Sequence, residues 1–332
     1  MSTNLELSMR ATLPLIQKER AMYSRRELGT LTLGAFAAPL VGGFAHAASG
    51  VRLGVHTYSL RNLPRAPGRD PIETLIQALV ACDAGECELF APQVEAQFGG
   101  ARGGHHAMSS MSPQMVRREL RKWRLRTPLG YFHTIGSRFQ KAGIGIYAYN
   151  YSPNPSFSDE EIDRGFAMAK ALGAEIVTAS TTLDMAKRIA PFAEQHRMIV
   201  SMHGNSRVAD PNEVATPRSF DAAMNMSPYF KVNLDIGDFT AANLDAVSYI
   251  GERHPDITHL HLKDRRKNQG ANVPWGQGDT PIVEVLRLLK REAWPIRAHV
   301  ELEYAEPAGP VNEVKKCLAY ANQALTVSRS TT

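Results

Sequence analysis

The sequence predicts an α/β chain folded as a (β/α)₈ barrel. Three observations carry this reading. Short apolar runs alternate with longer helical patterns about eight times over roughly 280 residues, the count such a barrel needs. No glycine-rich phosphate turn follows the first run, as a doubly wound open sheet would require. Imidazoles and carboxylates gather near the ends of the last four runs, where a barrel of this kind builds its active site.

The strand candidates, in order, are VRLGVHTYS (51–59), ECELFAP (86–92), GIGIYAYN (143–150), AEIVTAS (174–180), MIVSMHG (198–204), KVNLDIG (231–237), ITHLHLKD (257–264) and RAHVELEY (297–304). Helical patterns lie between them. In DEEIDRGFAMAKALG, Ser158 is placed to cap and Glu161 to close the capping box. Ile162, Phe166, Ala169 and Leu172 fall on one apolar face, and Gly173 ends the helix. PIVEVLRLLKREA reads as a second clear helix. Two loops stand out. FGGARGGHHAMSSMSP (98–113), with His105 and His106, reads as a flexible cover over the barrel mouth. In KNQGANVPWGQGDTP (267–281) the glycines permit close approach to a ligand. Trp275 there is suited either to stack on a sugar face or to pack the loop down.

Hydrophobic residues make up 43% and charged residues 21% of the 332, the balance of a globular chain. A formal net charge of +5, without a basic stripe interleaved with aromatics, argues against a nucleic-acid partner. Three cysteines, Cys82, Cys87 and Cys317, are too few for a disulfide framework and read as small buried residues. Residues 1–48 read as an export signal, leaving 49–332 as the barrel domain. Arg25-Arg26 precedes a modestly apolar run and then Ala45-His46-Ala47, a small-x-small cleavage pattern. Ser24 before the arginines and Leu28 after them suggest the twin-arginine route. Pro39 and Gly42-Gly43 break the run, so no stable membrane anchor is expected after cleavage. The mature protein is expected in the periplasm, with the oligomeric state left open to a homo-oligomer.

The strand ends carry the chemistry. They supply His203 on the fifth strand, Asp235 on the sixth, His261 on the seventh, and Glu301 and Glu303 on the eighth. Each alone could be a satisfied buried polar group. Together they form a set of nitrogen and oxygen donors with no thiolate, which suits one divalent ion: Mn2+, Mg2+, Co2+ or Zn2+. Alternate residues of a strand share a face, so His259 and Lys263 point the same way as His261. His259 is expected deeper, as a support or a lining group, and Lys263 at the rim. The remaining candidate polar contacts to substrate are His56, Glu88, Asn150, Asn205 and Arg265.

The segments VNLDIGDFTAANLDAVSYI, ITHLHLKDRRKNQGANVPWGQGDTPIVEVL and HVELEY resemble the sugar phosphate isomerase/epimerase superfamily, with its xylose isomerase-like TIM barrel. That resemblance implies a divalent metal held by a carboxylate on strand five, Asp on strand six, His on strand seven and Glu on strand eight. By motif it assigns Asp235 of LDIG, His261 of HLHLKD and Glu301 of VELEY, with Glu303 the near alternative. On strand five this chain reads SMHGN, so His203 stands where many members have Glu. Asn205 lies two along, in the manner of relatives carrying His-Asn-His. A His at this point removes one of the two opposed carboxylates of an epimerase.

The expected activity is therefore proton removal next to a sugar carbonyl through a metal-stabilised enediolate. The catalytic candidates are Glu301, Glu303, His203 and Lys263. A single strong base favours isomerisation or elimination over simple epimerisation. Elimination would make the enzyme a lyase acting on a 3-keto-glycoside. A third expectation is a periplasmic sugar-binding protein without catalysis. The substrate in every case is a small sugar or keto-sugar.

Overall fold

The computed structural model describes residues 50–64, 68–98 and 111–326. The expected export signal and the pair His105-His106 lie outside the described residues. Eight parallel strands close into a barrel in sequence order, with β1 (Leu53–His56) pairing both β2 (Glu86–Phe90) and β8 (Arg297–Val300). Between them run β3 (Gly145–Asn150), β4 (Ile176–Ala179), β5 (Val200–His203), β6 (Phe230–Asp235) and β7 (Ile257–Leu262).

The helices follow in the same order. They are α1 (Pro71–Ala81), α2 (Pro113–Arg126), α3 (Leu129–Lys141), α4 (Asp159–Leu172), α5 (Leu183–His196) and α6 (Pro217–Met224). After β6 come α7 (Ile236–Ala241), α8 (Ala246–Arg253), α9 (Ile282–Glu292) and α10 (Pro310–Thr326). The eight expected strands are all present, though shorter than the apolar runs that announce them. The largest correction is at β8, which ends at Val300, so Glu301 and Glu303 stand just beyond the sheet. The chain stays anchored there because the Glu301 amide donates to the carbonyl of Leu262.

Helix α4 forms as its sequence dictates. Ser158 and Glu161 complete a reciprocal capping box, and Gly173 closes the helix at φ 78°. Ile162, Phe166, Ala169 and Leu172 are buried on its inner face. Glu161 does more than cap. It is wholly buried beneath Arg117, Arg121 and Arg124, and Arg124 also forks onto Glu95 at 2.7 and 2.8 Å. This ionic cluster ties α2 to α4.

Burial pushes the pKa of Glu161 up, but bonds from Arg117, Ser158 and Arg121 outweigh it and bring it down from 4.5 to about 2. Because the folded value is depressed, the stabilisation is complete above the unfolded value. It is lost as pH falls from about 5 toward 2. Glu161→Gln is expected to cost about 3 kcal/mol near neutrality and to flatten the acid limb of the stability curve. Urea unfolding at several pH values would show this, and an unchanged acid limb would refute it.

The three cysteines are buried free thiols, as expected. No helix among the described residues is long and apolar enough to cross a membrane.

Candidate metal centre

The barrel register brings the strand-end residues into one layer. His203 ends β5 and Asp235 ends β6. His261 is the register partner of Asp235, and Glu301 follows β8 directly. One ligand atom from each of these four lies within 4.8 Å of every other. Two ligands on opposite sides of an ion at about 2.0–2.4 Å are separated by about 4.0–4.8 Å, so the four can share one ion. All four side chains are buried. Both ring nitrogens of His203 and Nδ1 of His261 have no hydrogen-bond partner, while Oδ2 of Asp235 meets the Lys263 ammonium at 2.7 Å. Buried donors and acceptors left this way are costly, and an ion satisfies them together.

The local charge also fits. The carboxylates of Glu88, Asp235, Asp238, Glu301 and Glu303 outnumber the two permanent cations, Lys263 and Arg265, among which they sit. A buried negative excess of this kind calls for a cation.

Lys263 corrects the expectation of a rim residue. It is 4% exposed, with its Nζ 2.7 Å from Asp235, 2.8 Å from Glu303 and 3.2 Å from Glu301. Burial disfavours its charge, but Asp235, Glu301, Asp238 and Glu303 outweigh that and hold its pKa well above the usual lysine value. Gly237 makes this possible, because a Cβ there would fall 2.7 Å from the Lys263 carbonyl oxygen. The glycine of LDIG thus opens the path that Lys263 takes inward.

Glu303 stands apart from the four-ligand set. Its side chain is 27% exposed, and it accepts from Lys263 and, at 3.2 Å, from Asn272. The group whose ligand atoms lie together contains Glu301 and not Glu303.

A layer of histidines and glutamates supports this centre from below. Glu88 is fully buried and takes His261 Nε2 at 2.6 Å, His259 Nε2 at 2.9 Å and Asn150 Nδ2 at 2.8 Å. Burial raises the pKa of Glu88, but His261 and His56 outweigh this and hold it well below the carboxylate range. His259 goes the other way, pushed down to about 3 chiefly by burial, and is a neutral support. His56 bonds Glu301 at 2.9 Å and stacks on His261 with centroids 4.6 Å apart.

Four expected substrate contacts are instead committed to the protein. Glu88 and His259 face one another at 0% exposure. Asn205 donates to Glu213 and accepts from the Arg207 amide. Every guanidinium nitrogen of Arg265 is used, on Asp238, Ser206 and the Gly270 carbonyl. Trp275 packs edge-to-face on Tyr320 at 5.9 Å, so it holds its loop down as one of its two expected roles. Asn150, held by Glu88 and by Ser152, borders a separate cavity beside Arg124.

Sequence reasoning passed over His299, Glu86, Asp238 and Asp264. His299 is wholly buried and bonds Glu86 at 3.1 Å. The signal was present in Gly54, where a Cβ would fall 2.6 Å from the His299 ring. Asp264 accepts from the amides of Gly276, Gly278 and Thr280 and so shapes the 267–281 loop.

The xylose isomerase-like TIM barrel family matches residues 117–321, more than half of the chain. The chain belongs to this family. The match includes His203, Asp235, His261 and Glu301. No curated protein matches the chain. Among solved structures it is similar to a sugar phosphate isomerase/epimerase from Parabacteroides distasonis, at 16% identity and TM-score 0.51 over 83% of this chain and 96% of that one. It is also similar to the 3-keto-D-glucoside 4-epimerase YcjR from E. coli, at 9% identity and TM-score 0.55 over 82% and 99%. The IolI protein with a bound zinc atom aligns at 13% identity and TM-score 0.56 over 85% and 100%. At these identities the likeness is one of fold.

Proposed function

We propose that this member of the family is a divalent-metal-dependent enzyme that removes a proton next to a sugar carbonyl, then isomerises the sugar or eliminates a β-substituent. The observation that carries this reading is the four-residue ligand set with an ammonium and an accessible carboxylate directly beside it. His203, Asp235, His261 and Glu301 would hold the ion. Bound there, a divalent ion supplies Lewis-acid stabilisation of charge developing on a carbonyl oxygen.

The chain's own residues supply the rest. Glu303, at the mouth and outside the ligand set, takes the proton. Lys263 holds Glu303 in place at 2.8 Å and offers a second positive group to the developing oxyanion. With His203 on strand five, where an epimerase of the resembled superfamily would carry its second carboxylate, Glu303 is left as the single proposed base among the described residues. Isomerisation and elimination need only the one base. A receptor without catalysis has no use for an ammonium buried against several carboxylates, an arrangement that is costly to fold.

The supporting experiment is incubation with keto-sugars in deuterated solvent at saturating Mn2+ or Zn2+. Deuterium is expected at the carbon beside the carbonyl, followed by an isomerised or unsaturated product. Binding without exchange would make the protein a receptor, and rapid clean epimerisation would sink the single-base reading. We place the activity in the periplasm on the strength of the Arg25-Arg26 leader. Recovery of protein beginning near Ala48 from a periplasmic extract tests that placement.

A further inference from the structure

Beside the proposed site lies a cavity of about 910 Å³. It is bounded by the loop after β7, the loop after β8 and the first half of α10. Asn272, Trp275, Tyr304, Glu306, Lys316 and Tyr320 are among its lining residues. Asn272 connects it to the chemistry, since its Nδ2 donates to Glu303 at 3.2 Å. The cavity therefore begins one hydrogen bond from the carboxylate proposed as the base. Its volume falls near the top of the range for small-molecule sites and exceeds what one sugar ring fills.

The lining has the character of a carbohydrate subsite. Trp275 and Tyr320 meet at 85° and make an aromatic corner. Tyr304 and Lys316 both bond Glu313, at 3.1 and 2.8 Å, so that wall is already satisfied. Two polar atoms are not. Asn272 Oδ1, an acceptor, and Trp275 Nε1, a donor, belong to residues of this lining and have no partner within the protein, a costly state that a ligand reaching them would relieve. A hydroxyl both donates and accepts, so a polyol answers both needs, whereas an anion or a hydrocarbon answers at most one. Gly276, at φ 85°, lies against the Tyr320 ring, where an added Cβ would stand a tight 3.3 Å from it.

We infer that this cavity is a subsite for a second, non-reacting pyranose ring. The substrate class is then a disaccharide or comparable glycoside, and not a free monosaccharide. This rests on the reading of Glu303 as the group facing the reacting ring, and it adds that the second ring lies toward Trp275.

The test uses calorimetric titration of the metal-loaded protein with glucose, cellobiose, maltose and phenyl β-glucoside. At least one disaccharide is expected to bind about tenfold or more tightly than glucose. Trp275→Ala should bring that ratio close to one, and Trp275→Phe should restore most of it. Tyr320→Leu serves as the second variant if Trp275→Ala does not fold by circular dichroism. Equal binding of glucose and the disaccharides overturns the inference, as does no disaccharide binding at millimolar concentration. Tight binding of phenyl β-glucoside alone also overturns it, by making the cavity an apolar aglycone site. Failure here leaves proton exchange from a keto-monosaccharide intact, whereas failure of the proposed function removes exchange and leaves the binding ratio readable.

Discussion

Glu303→Gln is expected to slow deuterium exchange into a keto-sugar by about 10²–10⁴-fold, the usual contribution of a positioned general base, while divalent metal still binds. The separation follows from position. Glu301 belongs to the buried ligand set, with one oxygen on His56, and Glu303 reaches the same ammonium from the open side. Glutamine preserves the shape and the bond from Asn272 but cannot accept a proton.

Lys263→Met gives the complementary result. It removes a positive charge from among Asp235, Glu301 and Asp238, so metal is expected to bind more tightly even as exchange slows. Metal affinity is read by competition with a chelator and exchange by NMR. A Glu303→Gln protein that exchanges at the wild-type rate would dismiss Glu303 as the base. Equal loss of metal and exchange would instead make Glu303 a ligand.

The barrel was legible because its periodicity is strong. Each buried strand reads as an apolar run, and α4 carries its own start and stop in Ser158, Glu161 and Gly173. The ligand set was legible for a related reason. One carboxylate or imidazole at the end of an apolar run is ordinarily a satisfied buried group, but four consecutive runs shared the feature.

What escaped was anything set by contacts across the barrel. The alternation in ITHLHLKD puts Lys263 on the face of His261 but does not say how deeply it is buried, because its partners Asp235 and Glu303 lie on β6 and beyond β8 and the gap that admits it is made by Gly237. Arg265 was a candidate substrate contact because it follows the strand-seven end beside the site. The carbonyl of Gly270 and the carboxylate of Asp238, which use up its donors, are placed by loop geometry that periodicity does not encode. Glu88 was expected as a polar contact to substrate, and its bonds to His259 and His261 depend on those residues arriving from the opposite wall.

Those bonds supply the second large effect. His261→Ala should abolish metal loading and activity together, since it deletes one of four ligands, while circular dichroism shows the barrel intact. Glu88→Gln is the more searching change, because Glu88 touches His261, a proposed ligand, and stands outside the proposed four-residue set. With Nε2 of His261 donating to Glu88 at 2.6 Å, the nitrogen left to face the other candidate ligands is Nδ1, 3.4 Å from Glu301 Oε2. A carboxylate on the far nitrogen of a ligating histidine fixes the tautomer and makes the ring a better donor. Burial disfavours the charged His261 ring, yet Glu88 and Glu301 hold its pKa well above the usual value, so without metal it carries a proton that binding must displace. Replacing Glu88 by a neutral amide leaves the shape but removes this polarisation. Metal affinity is then expected to fall by about 10–100-fold, with activity recovered at high metal concentration, which His261→Ala cannot do. Wild-type affinity in Glu88→Gln would mean that Nδ1 is not the ligating atom, and loss of activity that metal does not restore would place Glu88 in the chemistry itself.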